Sequence, residues 1–370
     1  MKYAFILMLV VCMFACQPKK ETNANAESDT NKEFVLEFGS APGTAVFRTD
    51  SFQVWGATLT RGNDGLYHMF YSRWLKSLGS AWTTHSEIAH AVSESPFGPF
   101  EPKDVALPPR GAEYWDGLCT HNPTIHKFDG RYYLYYMGNT GDGINYSTPT
   151  KGKLNWVHRN NQRIGVAVAD DPNGPWERMD VPLVDASEDT TAIDAKLVTN
   201  PSIARGPDGK YVMVYKAVGK KRPGIAGGPV VHCVATSDSP TGPFKKYPNP
   251  IFTAEGSDFP AEDPSIFYYK GKFRAIVKDM HGAFTDAGKS LVYFESDNGI
   301  DWQPSKNPLA SILQVKWEDK GVEKVELLER PQVYMEDGKP AVVLCAVKTT
   351  TEEGVEDLRN VQIPLIETEL

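Results

Sequence analysis

Glu262 and Asp263 stand side by side at the head of the string EDPSIFYYKGK. A carboxyl group held in a partly closed pocket can have its pKa raised and serve as general acid or base, so this pair is the first candidate for proton transfer. Successive strand residues point to opposite faces, and one of the two is expected to reach a ligand directly. Asp194 and Glu329 are candidates for a second carboxylate, although Glu329 also reads as an ion-pair partner of its neighbour Arg330. His121 and His281, the latter in KDMHGAF, add the side chain most easily poised near neutral pH. Lys216, Lys278 and Arg330 place positive charge in an acidic chain, and a guanidinium offers a carboxylate or sulfate a two-point fork. Trp55 and Trp115, with Trp74, Trp82 and Tyr114, supply flat faces that serve either stacking or packing. No compact metal-ligand motif accompanies these residues, and neither a metal nor a cofactor is expected.

The elements that position them are written as a repeat. HNPTIHKFDGRYYLYYMG, NPSIARGPDGKYVMVYKAVG and DPSIFYYKGKFRAIVKDMHG align Asn122, Asn200 and Asp263, each followed by Pro, then Ser or Thr, then Ile. Two weaker copies put Trp55 (WGATLTRGNDGLYHMFYSRW) and Arg330 (RPQVYMEDGKPAVVLCAV) in the same slot, so the anchor recurs about every 70 residues. Each copy predicts a hairpin, its turn at Asp64-Gly65, Asp129-Gly130, Asp208-Gly209, Lys270-Gly271 or Asp337-Gly338. A further strand follows, ending in a Pro/Gly turn and an aromatic plug, as in IGVAVADDPNGPW and VHCVATSDSPTGPF. About four antiparallel strands per repeat and five repeats predict an all-β, five-bladed β-propeller, in which FVLEF at 34–38 pairs with the last blade and closes the ring. The inner strands start near one mouth of the central channel. The pairs His121-Asn122, Thr199-Asn200, Glu262-Asp263 and Glu329-Arg330 are therefore expected around one pocket.

From Phe34 to the C-terminus these hairpins and the S-D-S-P-x-G-P-F/W turns resemble the five-bladed β-propeller glycosidases, glycoside hydrolase family 43 and its relatives. The resemblance implies removal of sugars from oligo- or polysaccharides without a cofactor, using a first-blade Asp as base, a second Asp to orient it, and a Glu as acid. In this chain the slots hold Trp55, Asn122 and Asn200, and only the fourth keeps an acid, Asp263. Two enzyme classes follow. One is exo-type hydrolysis with Glu262 or Asp263 as acid or base. The other is elimination, by a lyase or dehydratase, at a uronate of an acidic, ulvan-like algal oligosaccharide, with His121 or His281 moving the proton and Arg330 neutralising the carboxylate. Asn122, Asn200, Asp194, Lys216, Glu329, Arg330, Trp55 and Trp115 would hold the sugar. A non-catalytic glycan-binding protein is a third reading, disfavoured by the acids that remain.

Composition sets outer bounds. A net charge of −8 and a pI near 5.6 argue against nucleic acid as a partner, which needs a basic face. The opening MKYAFILMLVVCMFAC has a Lys and then an apolar run suited to a secretory signal, and its Cys16 resembles a lipoprotein cleavage site. Residues 1–16 are thus expected to be a lipoprotein-type signal, 17–33 a polar tether, and 34–370 the catalytic propeller, carried in the cell envelope on an outer-membrane lipid anchor. Cys119, Cys233 and Cys345 lie too far apart in sequence for a metal motif and are expected to be buried thiols.

Overall fold

The computed structural model describes residue 1 and residues 34–144 and 154–369. The signal, Cys16 and the tether lie outside these residues. Five four-stranded antiparallel blades form the expected propeller. Blade one comprises Phe52–Arg61, Tyr67–Leu75, Glu87–Ser93 and Glu101–Leu107, and blade two Cys119–Phe128, Arg131–Asn139, Arg163–Ala169 and Glu177–Arg178. Blade three runs through Leu197–Arg205, Tyr211–Val218, Val230–Ser237 and Lys245–Lys246, and blade four through Ala261–Tyr269, Lys272–Asp279, Ser290–Ser296 and Gln303–Ile312. Blade five takes three strands from the C-terminus, Leu327–Glu336, Lys339–Thr350 and Glu356–Glu369, and its outermost strand from Phe34–Phe38. That last pairing runs in register from Phe34 opposite Glu369 to Phe38 opposite Leu365. The ring is closed by joining the two ends of the propeller in one blade, whose outer edge is the short strand Phe34–Phe38.

The repeated motif has a backbone reason. In every inner strand the ladder slips at the same point of the repeat, between Trp55 and Thr58, His121 and Thr124, Thr199 and Ser202, Glu262 and Ser265, and Glu329 and Gln332. The residue at each slip has a positive φ: Gly56 (55°), Asn122 (51°), Asn200 (53°), Asp263 (52°) and Arg330 (50°). Asn, Asp and Gly tolerate that left-handed conformation best. A following Pro costs nothing where the ladder is already broken, because its missing N–H would have no partner. The slot in blade one therefore belongs to Gly56, one residue beyond the expected Trp55, and Trp55 is the counterpart of His121, Thr199, Glu262 and Glu329.

Two residues past the slip in blades one to four, a small hydroxyl joins one blade to the next. Thr58 Oγ1 accepts from Ile125 N (3.2 Å), Ser202 Oγ from Ile266 N (2.8 Å) and Ser265 Oγ from Val333 N (3.0 Å). Thr124 Oγ1 donates to the Pro201 carbonyl of blade three (3.1 Å) and also lies 2.8 Å from Gln332 Oε1 across the channel in blade five. Between the blades, apolar faces close-pack, as with Tyr135, Val166, Ile203 and Met213 between blades two and three. Each such side chain contributes about 1.5–3 kcal/mol on full burial. The three cysteines outside the signal are free and buried. Among the described residues, no helix is long and apolar enough to cross a membrane.

Candidate active site

At one mouth of the channel lies a cavity of about 520 Å³, within the size range of ligand sites. Its floor is the ring of slip residues. Asn122 Nδ2 donates to Asn200 Oδ1 (2.8 Å), Asn200 Nδ2 donates to Asp263 Oδ1 (2.7 Å), and the Arg330 guanidinium lies 3.6 Å from Asp263 Oδ1. Arg330 Nη2 also donates to the Asn122 carbonyl at 3.3 Å. A Cβ on Gly56 would sit 3.1 Å from Asn122 Oδ1 and 3.5 Å from Arg330 Nε, so these two side chains fill the place that a blade-one side chain would take. Arg330 is 0% exposed and absent from the cavity lining. The expected anion fork is thus a structural ion pair: the shaft of the channel, not the pocket, holds the guanidinium.

The residue before each slip faces the cavity, and here the chemistry gathers. Trp55, His121, Thr199, Glu262 and Glu329 all line it, as do Asn122, Asn200, Asp263 and Lys216. Lys216 pairs with Glu262 Oε1, while Lys278, itself buried, pairs with Glu329 and reaches Glu262 Oε2 at 3.3 Å. Two carboxylates on neighbouring blades thus share one ammonium. Their protonation is driven apart. Burial would raise Glu262, but the charges of Lys216 and Lys278 outweigh it and hold the carboxyl near 2. Glu329 is raised by burial, and by Glu262 and Asp263, against the pull of Lys278. Asp263 is likewise raised, by burial first and by Glu262 next, with Arg330 opposing.

His121 Nδ1 is hydrogen-bonded to Ser86 Oγ at 2.7 Å, and its ring lies 5.1 Å from that of Trp82 and 5.8 Å from that of Trp74. Burial, helped by the charge of Arg330, lowers its pKa to about 3, so the ring is neutral across ordinary pH. Trp55, Trp74, Trp82 and Trp156 give the lining its aromatic surface.

Three expected residues lie elsewhere. Asp194 is buried under blade three, 2.6 Å from Lys246 Nζ. Trp115 stacks on Tyr136 and lies against Gly138 and Gly165, whose missing side chains make room for the indole. His281 is exposed on the loop after Lys272–Asp279 and is not part of the lining. Conversely, Trp156 and Arg159 line the cavity from a five-residue helix, Trp156–Asn160, too short to leave a helical period in the sequence. Its readable signal is Asn155, an N-cap whose side chain accepts from Val157 N and His158 N. Among the described residues no cluster of three or more His, Cys, Asp or Glu is arranged to hold a metal ion.

Comparison with known proteins agrees with this architecture. The profile of glycosyl hydrolases family 43 matches residues 104–205, from the last strand of blade one through the inner strand of blade three. No curated protein matches the sequence. Among solved structures, Zg3597, a family 117 glycoside hydrolase of the marine bacterium Zobellia galactanivorans, superposes with a TM-score of 0.57 at 17% identity, over 90% of this protein and 89% of that one. BT0996, in a complex with RGII, gives 0.61 at 16% identity over 90% and 92%. The Bacillus subtilis arabinanase Arb43A gives 0.55 at 12% over 86% and 96%. The resemblance read from the repeats holds: the protein is a five-bladed propeller with the fold of these glycoside hydrolases, and a family 43 match runs from the end of blade one into blade three.

Proposed function

We propose that this protein is an exo-acting glycoside hydrolase whose reacting carboxyls are Glu262 and Glu329. The observation that carries the reading is the split between them: side by side on one ammonium in an aromatic-lined pocket, one carboxyl is held ionised and the other is pushed toward its protonated form. Such a split is how paired acids divide into base and acid. Glu329 would protonate the leaving glycosidic oxygen, and Glu262 would take up the proton of the attacking water or stabilise the developing cation. Closure of the channel by the buried Asn122–Asn200–Asp263–Arg330 ring supports action at the end of a saccharide, which cannot thread through.

The test is a panel of neutral and acidic oligosaccharides, with products followed over time. Monosaccharide released from one end is expected, and Glu329→Gln or Glu262→Gln should each cost at least about 100-fold in turnover. Full activity in both variants would rule out the pair. A second reading, elimination at a uronate, is favoured by one observation: the neutral imidazole of His121 lines the pocket as an available proton acceptor. It is separated from hydrolysis by new ultraviolet absorbance from an unsaturated uronate. Anchorage of the protein through a lipid on Cys16 is likewise proposed, on the sequence of the leader alone.

A further inference from the structure

Besides Arg330, which pairs with Asp263 in the floor, four cations stand in or just behind the pocket, and three are spent on carboxylates. Lys216 pairs with Glu262, Lys278 with Glu262 and Glu329, and Lys348 with Glu326 and Glu356. Arg159 is different. It lines the cavity, yet no described carboxylate lies within ion-pair distance of it. Its Nη1 donates to Asn160 Oδ1 (3.0 Å) and to the Ala226 carbonyl (2.8 Å), and its guanidinium sits 5.4 Å from the Trp156 ring centroid. These contacts fix the group by one corner. They leave Nε–H and the adjacent Nη2–H without a protein acceptor among the described residues, and those two bonds form the parallel edge that grips a planar anion bidentately.

Burial disfavours the charge of Arg159, and the attraction that offsets it comes from Glu262, beyond ion-pair distance and already held by two lysines, so the cost falls further when an anion arrives. The surroundings add to it: Lys196, whose Nζ is held by the Gly224 carbonyl, feels the positive charge of Arg159 and of Lys220. Stacking beside Trp156 gives an incoming sugar ring an apolar face next to the charged edge.

We propose that Arg159 is the specificity-determining residue of the pocket and selects sugars that carry a carboxylate. The inference rests on reading this cavity as the saccharide site. A uronate and a sulfate ester share the relevant chemistry, but the planar two-bond edge fits the carboxylate.

Direct binding keeps the test independent of turnover. Calorimetric titration of the wild-type protein with a uronate-terminated disaccharide, its sulfated analogue and its neutral analogue should give the order uronate, sulfate, neutral. The uronate should exceed the neutral sugar by about 10- to 100-fold, the scale of a charge-assisted hydrogen-bonded pair. Arg159→Met should abolish that preference with little loss of neutral-sugar affinity, and Arg159→Lys should restore only a minor part of it. Melting curves of both variants establish folding, and Arg159→Lys carries the test if Arg159→Met does not fold. Equal wild-type affinity for uronate and neutral sugars would overturn the proposal, as would a preference for sulfate or one that survives in the variants. If uronates bind through Arg159 but no glycosidic bond is cleaved, the hydrolase reading fails and the recognition proposal stands.

Discussion

Replacing Arg330 by Met separates a structural from a substrate-binding role for the guanidinium. The side chain is fully buried, 3.6 Å from Asp263 Oδ1, and its removal leaves that carboxylate beside Glu262 without its nearest cation. Deleting one partner of a buried pair costs about 3–5 kcal/mol. Unfolding entropy near 2.1 cal/mol/K per residue gives ~0.7 kcal/mol/K for a propeller of this length, so the melting temperature should fall by roughly 4–7 °C. The loss has a pH signature. Arg330 lowers the Asp263 pKa, so without it the already raised value rises further above 3.8. The folded variant then binds a proton that the unfolded chain releases, and stability falls as pH rises through that window. Destabilisation should accordingly be smaller at pH 5 than at pH 8. Adding Asp263→Asn removes the orphaned charge and should recover much of the loss. Urea unfolding of the two variants at both pH values is the assay, with kcat/KM for an acidic and a neutral oligosaccharide beside it. Unchanged stability together with a selective loss on the acidic substrate would refute this assignment and return Arg330 to the pocket.

Burial, with the charge of Lys216 assisting, lowers His232 to about 3, far below the free value near 6.5. The unfolded chain therefore takes up its proton first, and the native state should lose about 1.4 kcal/mol per pH unit as pH falls from 6.5 toward 3. His232→Phe, whose ring can pack on Phe252, should remove that part of the slope in urea titrations; an identical slope in wild type and variant would contradict it. In the intact protein, Cys16→Ser should release it from membranes without altering its melting temperature, and unchanged membrane association would argue against lipidation there.

The architecture was readable because propeller repeats advertise backbone requirements. Pro after Asn, Asp or Arg, the Ser or Thr two positions past the slip, and the Asp-Gly or Lys-Gly turns all answer to hydrogen bonds or φ values that recur blade after blade. The pocket was readable in part, through the residues next to those anchors: His121, Glu262, Glu329 and, across the hairpin, Lys216. Arg159 and Trp156 escaped because their helix is a single insertion in one blade, with no counterpart to align against. Asp194 and Trp115 were attractive by residue type alone. Nothing in sequence spacing reveals that Lys246 holds the first or that two glycines seat the second.

The one-residue slip at Trp55 shows which signal governs. Aligning side chains of similar bulk and polarity puts Trp55 in the slot, whereas aligning the hydroxyl that joins the blades puts Thr58 with Thr124, Ser202 and Ser265, and so Gly56 with Asn122, Asn200 and Asp263. The second alignment is the physical one, since a left-handed pivot must come two residues before the hydroxyl. It also changes the chemistry expected of blade one. With Gly56 in the slot, no side chain descends from that blade to the channel floor, and the volume passes to Asn122 and Arg330. An acid restored there would push its Cβ to within 3.1 Å of Asn122 Oδ1 and its carboxylate toward the Arg330–Asp263 pair. The floor is therefore built as a closed polar plug. On the proposed hydrolase reading, proton transfer is carried one residue earlier in each strand, where Glu262 and Glu329 meet over Lys278.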